Sequence, residues 1–242
     1  MLDNLTEKAP LLVFGAHPDD IEFGCGGIVA QEVRAGRPVH LVVCSRGEAG
    51  TRGTPEIREA ESQVAARILG ASLEFMELDG DAHLRVSAEH AISLAGVIRQ
   101  VRPGIVIAPS LVENQHPDHA RLGRLVRDAA RLARFGGLSE LKGSAPHSIG
   151  SLFYYALSLE AEPRDLSPIL YDVSGEETLT AWMAAMEAHG SQVLAKPYVE
   201  AQLTRARLRG LSAGLGHAIA LFPADPVVVG GLESVATGAR SF

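Results

Sequence analysis

The chain has 242 residues, 46% of them apolar and 21% charged, and carries a net charge of −7. This is the composition of an ordinary globular protein with one sizeable core, and the sign of the charge opposes a general nucleic-acid or anionic-membrane surface. No apolar run approaches the ~20 residues that span a bilayer, and residues 1–8 lack the basic start and apolar stretch of a leader peptide. Two isolated cysteines, Cys25 and Cys44, make no disulfide framework, so a reduced, cytoplasmic setting is expected.

Strand and helix patterns alternate through the first half. Residues 11–16 (LLVFGA) form an apolar run that predicts a buried strand, followed by the turn His17-Pro18-Asp19-Asp20 and a helix over about 24–35. Gly36 and Pro38 stop that helix. Residues 38–44 (PVHLVVC) predict a second buried strand, 45–55 a polar, glycine-rich loop, and 56–69 a helix. In that helix Ile57, Val64, Ala65, Ile68 and Leu69 fall near helical spacing, and Gly70 follows as a left-handed stop. A strand over 73–78, a helix over 88–101 opened by Ser87, and a strand over 105–109 come next. The loop 110–115 then delivers His116-Pro117-Asp118-His119 to a helix running to about 135.

Four βα units in a row predict a Rossmann-like α/β fold: a mostly parallel sheet with helices on both faces. Beyond that, 148–158 and 169–173 read as strands, 176–188 and 199–211 as helices, and the tail after Gly214 is ambiguous. The chain is expected to form one domain, with a βα core over 1–135 that 136–242 completes.

In such a sheet all strand-to-helix loops emerge at one edge, where ligands bind. His17 and His119 can therefore meet across about a hundred residues of chain. Two imidazoles and a carboxylate, His17, His119 and Asp20, are the usual protein ligands of a catalytic zinc with an open fourth position. Asp19 is the spare carboxylate, placed to take a proton from an activated water. His116 lies one helical turn before His119 and suits protonation of a leaving group, with Asp118 placed to orient a histidine. Arg58 opens a helix, where the dipole disfavours a cation, which points to an anionic substrate group.

Two other functions stay open on the residues alone. The Gly24-Cys25-Gly26-Gly27 cluster suggests a dinucleotide site, although it does not form G-x-G-x-x-G and the carboxylates would repel a pyrophosphate. Asp19 and Asp20 could instead hold magnesium in a receiver-like module with Asp79 as phosphoacceptor, against which the histidines speak.

The stretches 15–27 (GAHPDDIEFGCGG), 46–50 (RGEAG), 54–69, 106–119 and Ser191-Gln192 resemble the LmbE-like, or PIG-L, family of zinc-dependent N-acetylglucosamine deacetylases. Within that family the likeness is greatest to the bacillithiol-pathway, BshB-type enzymes, which act on N-acetylglucosaminyl malate. The resemblance implies a Rossmann-like fold, one zinc per chain (ferrous iron being the other candidate) on His17, Asp20 and His119, Asp19 as general base and His116 assisting the leaving amine. It further implies that Arg58 holds a substrate carboxylate, that Tyr198 donates to the oxyanion, that the partner is a small N-acetylated sugar, and that the chain forms a homo-oligomer, a hexamer by family analogy.

Overall fold

The computed structural model describes residues 8–114, 116–194, 196–235 and 238. Residues 1–7, read above for a leader, and Gln115 of the loop before the second histidine pair lie outside the described residues. One seven-stranded sheet runs through the molecule in the order β3-β2-β1-β4-β5-β7-β6. Its strands are β1 (Leu11–Gly15), β2 (Val39–Val43), β3 (Ser72–Phe75), β4 (Ile105–Pro109), β5 (Ser151–Tyr155), β6 (Ile169–Asp172) and β7 (Ala218–Pro223). The first five pair in parallel, while β7 inserts antiparallel between β5 and β6. The helices are α1 (Asp20–Arg34), α2 (Pro55–Leu69), α3 (Ala88–Val101), α4 (Pro117–Leu132), α5 (Glu176–Glu187), α6 (Gly190–Val193) and α7 (Tyr198–Ser212).

The central strands β1, β2 and β4 are buried on both faces, as crossover helices on either side require, while the edge strands β3 and β6 are partly exposed. Along β1 the side chains alternate: Leu12 and Phe14 enter the core beneath α3 and α4, and Leu11 and Val13 the core beneath α1, α2 and α5. From β1 the chain winds outward through β2 to β3, then returns to place β4 on the other side of β1. The switch point therefore lies between β1 and β4, and a crevice opens beyond their carboxyl ends. The two histidine tetrapeptides follow these two strands.

The strands expected over 73–78 and 148–158 are shorter, as β3 and β5, and other details differ as well. Helix α1 begins at Asp20 rather than near residue 24, so Gly24-Cys25-Gly26-Gly27 lies inside it; the axis kinks at Cys25 (φ −148°, ψ 17°). The glycines serve packing: a Cβ on Gly24 would stand 2.1 Å from the Tyr155 ring, and one on Gly26 2.8 Å from Trp182. Helix α2 turns Ile57, Val64 and Ile68 outward and buries Arg58, Ser62, Ala65, Ala66 and Leu69. Its inner face carries Arg58 because that side chain reaches the β1 turn, described below. The ambiguous tail supplies β7, a short apolar run whose length and periodicity fit strand and helix alike. Among the described residues no helix is long and apolar enough to cross a membrane, and Cys25 and Cys44 are free and buried.

Candidate metal centre

The β1 turn is built around Asp20. Its Oδ2 accepts the Ala16 and His17 N–H groups, both at 2.9 Å, which folds the carboxylate back over the end of the strand. Its Oδ1 stands 3.1 Å from His119 Nε2, and Oδ2 3.5 Å from His17 Nδ1. The His17 and His119 rings lie 5.2 Å apart, so the turn after β1 and the start of α4 converge on one carboxylate. His17 and His119 together hold the Asp20 carboxyl well below the usual range despite its burial.

Asp19 precedes α1 at φ 103°, a left-handed conformation that a non-glycine residue adopts only under constraint. The constraint is Arg58. Its guanidinium donates to Pro18 O at 2.9 Å and Gly47 O at 3.2 Å, and lies 3.4 Å from Asp19 Oδ2. Burial, followed by the neighbouring Asp20 carboxylate, pushes the Asp19 carboxyl up to about 7, with His189 and Arg58 opposing. Two adjacent acids thus sit in divergent environments.

His116 caps the N-terminus of α4, and Pro117 occupies the first helical position. The Asp118 N–H donates to His116 Nδ1 at 3.3 Å, which leaves Nε2 to carry the ring proton. That Nε2 faces Asp81 Oδ1 at 3.4 Å. Asp118 is fully buried: Oδ2 accepts the Ala82 N–H at 2.8 Å, Oδ1 accepts from Arg121 at 3.1 Å, and Oδ2 stands 3.5 Å from His17 Nε2.

The residue that sequence reasoning missed is Asp81. It comes from the third strand-to-helix loop, where Asp79 and Ala82 take positive φ (57° and 67°). Glu48, in the second loop, accepts the Asp81 N–H at 3.0 Å and ties the two loops together. Asp81 Oδ1 reaches 3.1 Å from His17 Nε2. Burial opposes its charge, but His116 and His17 hold its carboxyl far below the usual carboxylate range. The available signal was Asp79-Gly80-Asp81 at the same sheet edge as both histidine turns. Asp79 itself faces away, pairing with Arg85 and His90, which removes it from any phosphoacceptor role at the crevice. His189, whose sequence context carries no motif, is fully buried with Nε2 3.4 Å from Glu22 Oε2.

The donor set fits a divalent transition metal. His17, Asp20 and His119 each offer a ligand atom, all mutually within 4.8 Å, and His17, Asp81, His116 and Asp118 form a second such group. Nitrogen and oxygen donors of this kind suit zinc or ferrous iron. His17 Nε2 faces Asp81 and Asp118, which leaves Nδ1 turned to the Asp20 carboxylate, where with His119 Nε2 it presents a set of donors that a bound cation would complete. Around these groups opens a cleft of about 410 Å³, walled by Phe23, Leu157 and Tyr198 and floored by the carboxylates. Tyr198, at the start of α7, stacks at 5.4 Å against Phe23.

Comparison with known proteins agrees with this geometry. The PIG-L family model, described as GlcNAc-PI de-N-acetylase, matches residues 12–130, which include both histidine tetrapeptides. A solved structure, the conserved protein TT1542 from Thermus thermophilus, is 34% identical with a TM-score of 0.81, over 90% of this chain and 96% of that one. The chain belongs to the PIG-L family. Among curated relatives, the diacetylchitobiose deacetylase of Thermococcus kodakarensis is 34% identical over 60% of this chain and 59% of its own length. The 4-oxalmesaconate hydratase of Pseudomonas putida is 31% identical over 54% and 55%. The chain thus spans little more than half the length of these two relatives, and they catalyse different reactions.

Proposed function

We propose that this chain is a metal-dependent N-deacetylase that hydrolyses the acetamide of an N-acetylated amino sugar. One observation carries the reading: the Asp20 carboxylate stands between His17 and His119, with a second, proton-accepting carboxylate on the adjacent residue. His17, Asp20 and His119 would hold one zinc or ferrous ion, with His17 steadied through its other nitrogen by Asp81 and Asp118. A divalent ion there supplies Lewis acidity, lowering the pKa of a water to ~7 and polarising a carbonyl.

The chain's own groups do the rest. Asp19 takes the proton of the attacking water, and its carboxyl, raised to about 7, is matched to that task at neutral pH. Arg58 fixes Asp19 over the crevice. As the C–N bond breaks, the proton that Asp19 took from water passes to the departing nitrogen while the His116 Nε2–H donates a hydrogen bond to the collapsing tetrahedral intermediate, leaving acetate and a free amine. Asp81 Oδ1, 3.4 Å from His116 Nε2, holds the ring in that tautomer and orientation. Tyr198 lines the same cleft and would donate to the oxyanion.

The Pseudomonas putida relative supports a second reading, in which the same activated water adds to a carbon–carbon double bond. The test is acetate release from N-acetylglucosaminyl malate, N-acetylglucosaminyl inositol and diacetylchitobiose, alongside hydration of an unsaturated polycarboxylate. Acetate from any of the sugars establishes the deacetylase; hydration without acetate release establishes the alternative.

A further inference from the structure

The histidines of the metal centre ride on the first turn of α4, and the other end of that helix carries arginines. Arg127, Arg131 and, just past the helix, Arg134 follow at i, i+4 and i+7, so they share a face. All three line a cavity of about 450 Å³ between α4, the start of β5 and the segment after β7. The β5 residues in its wall are the first three, Ser151, Leu152 and Phe153. The cavity therefore lies at the amino ends of the parallel strands, across the sheet from the metal centre at their carboxyl ends.

A cation near a helix C-terminus ordinarily serves the last carbonyls. Here Arg99 of α3 meets that need. Its guanidinium, 4% exposed, donates to Ala133 O at 3.0 Å and Phe135 O at 2.7 Å. The Ala133, Arg134 and Phe135 N–H groups take the Ala129, Arg131 and Leu132 carbonyls. Arg131 and Arg134 are exposed, and among the described residues their side chains make no hydrogen bond and no ion pair within 4 Å. Arg127 comes no closer than 3.8 Å to a carboxylate there, that of its neighbour Asp128. Asp225 is the one acid lining the cavity among the described residues, so a surplus of positive charge gathers here in a chain of net charge −7.

Two donors beside the cavity are buried and unmatched. Arg127 Nε is out of contact with water and has no hydrogen-bond partner among the described residues, and the same holds for the Tyr154 hydroxyl. Tyr154, 2% exposed, shares a face of β5 with Leu152, and Arg127, Asp225 and Arg131 are the charged groups that act on it most. Burial pushes its hydroxyl up to about 12, so it keeps its proton and remains a donor. A buried donor left unpaired costs free energy that a ligand oxygen would recover. Beside the cations, Ile149, Leu152 and a half-exposed Phe135 ring supply an apolar wall.

Planar guanidiniums bind phosphate through paired N–H groups. Seven residues of helix span about 10 Å, more than one phosphate fills. An aromatic ring beside them offers a stacking face for a base, and the volume is that of a small-molecule pocket. We infer that this cavity is a second ligand site, which takes a nucleoside diphosphate with its phosphates on Arg127, Arg131 and Arg134 and its base against Phe135. The inference does not depend on the reaction at the metal centre.

Calorimetric titration of the metal-loaded full chain with ADP at low salt is the test. One ADP should bind per chain, at least roughly tenfold tighter than adenosine or pyrophosphate, and the affinity should fall as salt rises. Replacing the two exposed arginines together, Arg131→Ala with Arg134→Ala, should weaken ADP at least roughly tenfold while Tm stays at the wild-type value. Asp20→Asn, altered at the metal centre, should bind ADP as wild type does. Absence of ADP binding, or unchanged affinity in the double arginine variant, overturns the inference. So does binding lost in Asp20→Asn and kept in the arginine variant, which would put the phosphates on the metal. Equal affinity for ADP and pyrophosphate overturns the assignment of a nucleoside.

Discussion

Asp19 and Asp20 are neighbours in the chain with opposite assignments, and their surroundings make the division. Asp20 accepts two backbone N–H groups and faces two imidazoles, so its charge is locked in; Asp19 is desolvated beside another carboxylate and is poised to gain a proton. Asp19→Asn should therefore cut kcat by about 10²–10⁴-fold while bound metal stays at the wild-type level. Asp20→Asn should lose the metal itself, as read by elemental analysis of the purified protein. Undiminished turnover of Asp19→Asn would remove the base from the mechanism.

His189 invites a second test at this scale. Burial would lower its pKa, but Glu22, Asp19 and Glu61 outweigh burial and raise it above the ordinary histidine value. A raised folded pKa means that the Glu22–His189 contact stabilises below about pH 6.5, and that this stability is lost as pH climbs through the folded value. Wild type should thus lose more stability than Glu22→Gln between pH 6 and pH 8.5 in urea unfolding; parallel losses would show the pair to be neutral throughout. Neither His189 nor Asp81 was legible in the sequence, because each owes its role to partners that only tertiary packing supplies. The convergence of His17, Asp20 and His119 was legible because two tetrapeptides rich in histidine and aspartate recur after predicted strands.

At the scale of elements, the β1 and β4 turns were readable because length, alternation and helix stops agree there. The tail after Gly214 was not, since an isolated apolar run carries no period that separates strand from helix. The placement of α4 depends on a close approach. A Cβ on Gly123 would stand 2.4 Å from Pro109 O, a backbone atom that cannot move aside. Gly123→Ala must shift α4 away from β4, and His116 and His119 ride on its first turn. The expected result is a loss of about 1–3 kcal/mol in urea unfolding together with weaker zinc binding in a competition titration. Weakened folding with unchanged zinc affinity would show that the first turn of α4 adjusts independently of its middle.

The whole molecule shows why a metal would stabilise more than its own ligands. Strands β1 and β4 flank the switch point, and their pairing ends at Val13 and Ile107, before the turns that bear His17 and His119. Beyond that point, among the described residues, the Asp20 and Asp118 side chains link the turns: Asp20 to His119, and Asp118 to His17 and to the Ala82 N–H. Without a cation, imidazoles and carboxylates crowd this seam; an ion bound only by the folded chain neutralises them and clamps three loops together. At about a hundred times its Kd, such an ion adds ~2.7 kcal/mol, which in a domain of this size raises Tm by roughly 5–10 °C. Chelation should lower Tm by that amount, zinc should restore it, and hydrogen exchange at Ala16, His17 and Ala82 should slow on reloading. Asp20→Asn should melt at one temperature with or without zinc. A wild-type Tm indifferent to chelation, with the ion demonstrably removed, would mean that packing of the two cores alone fixes the seam and that the histidines gather there for another reason.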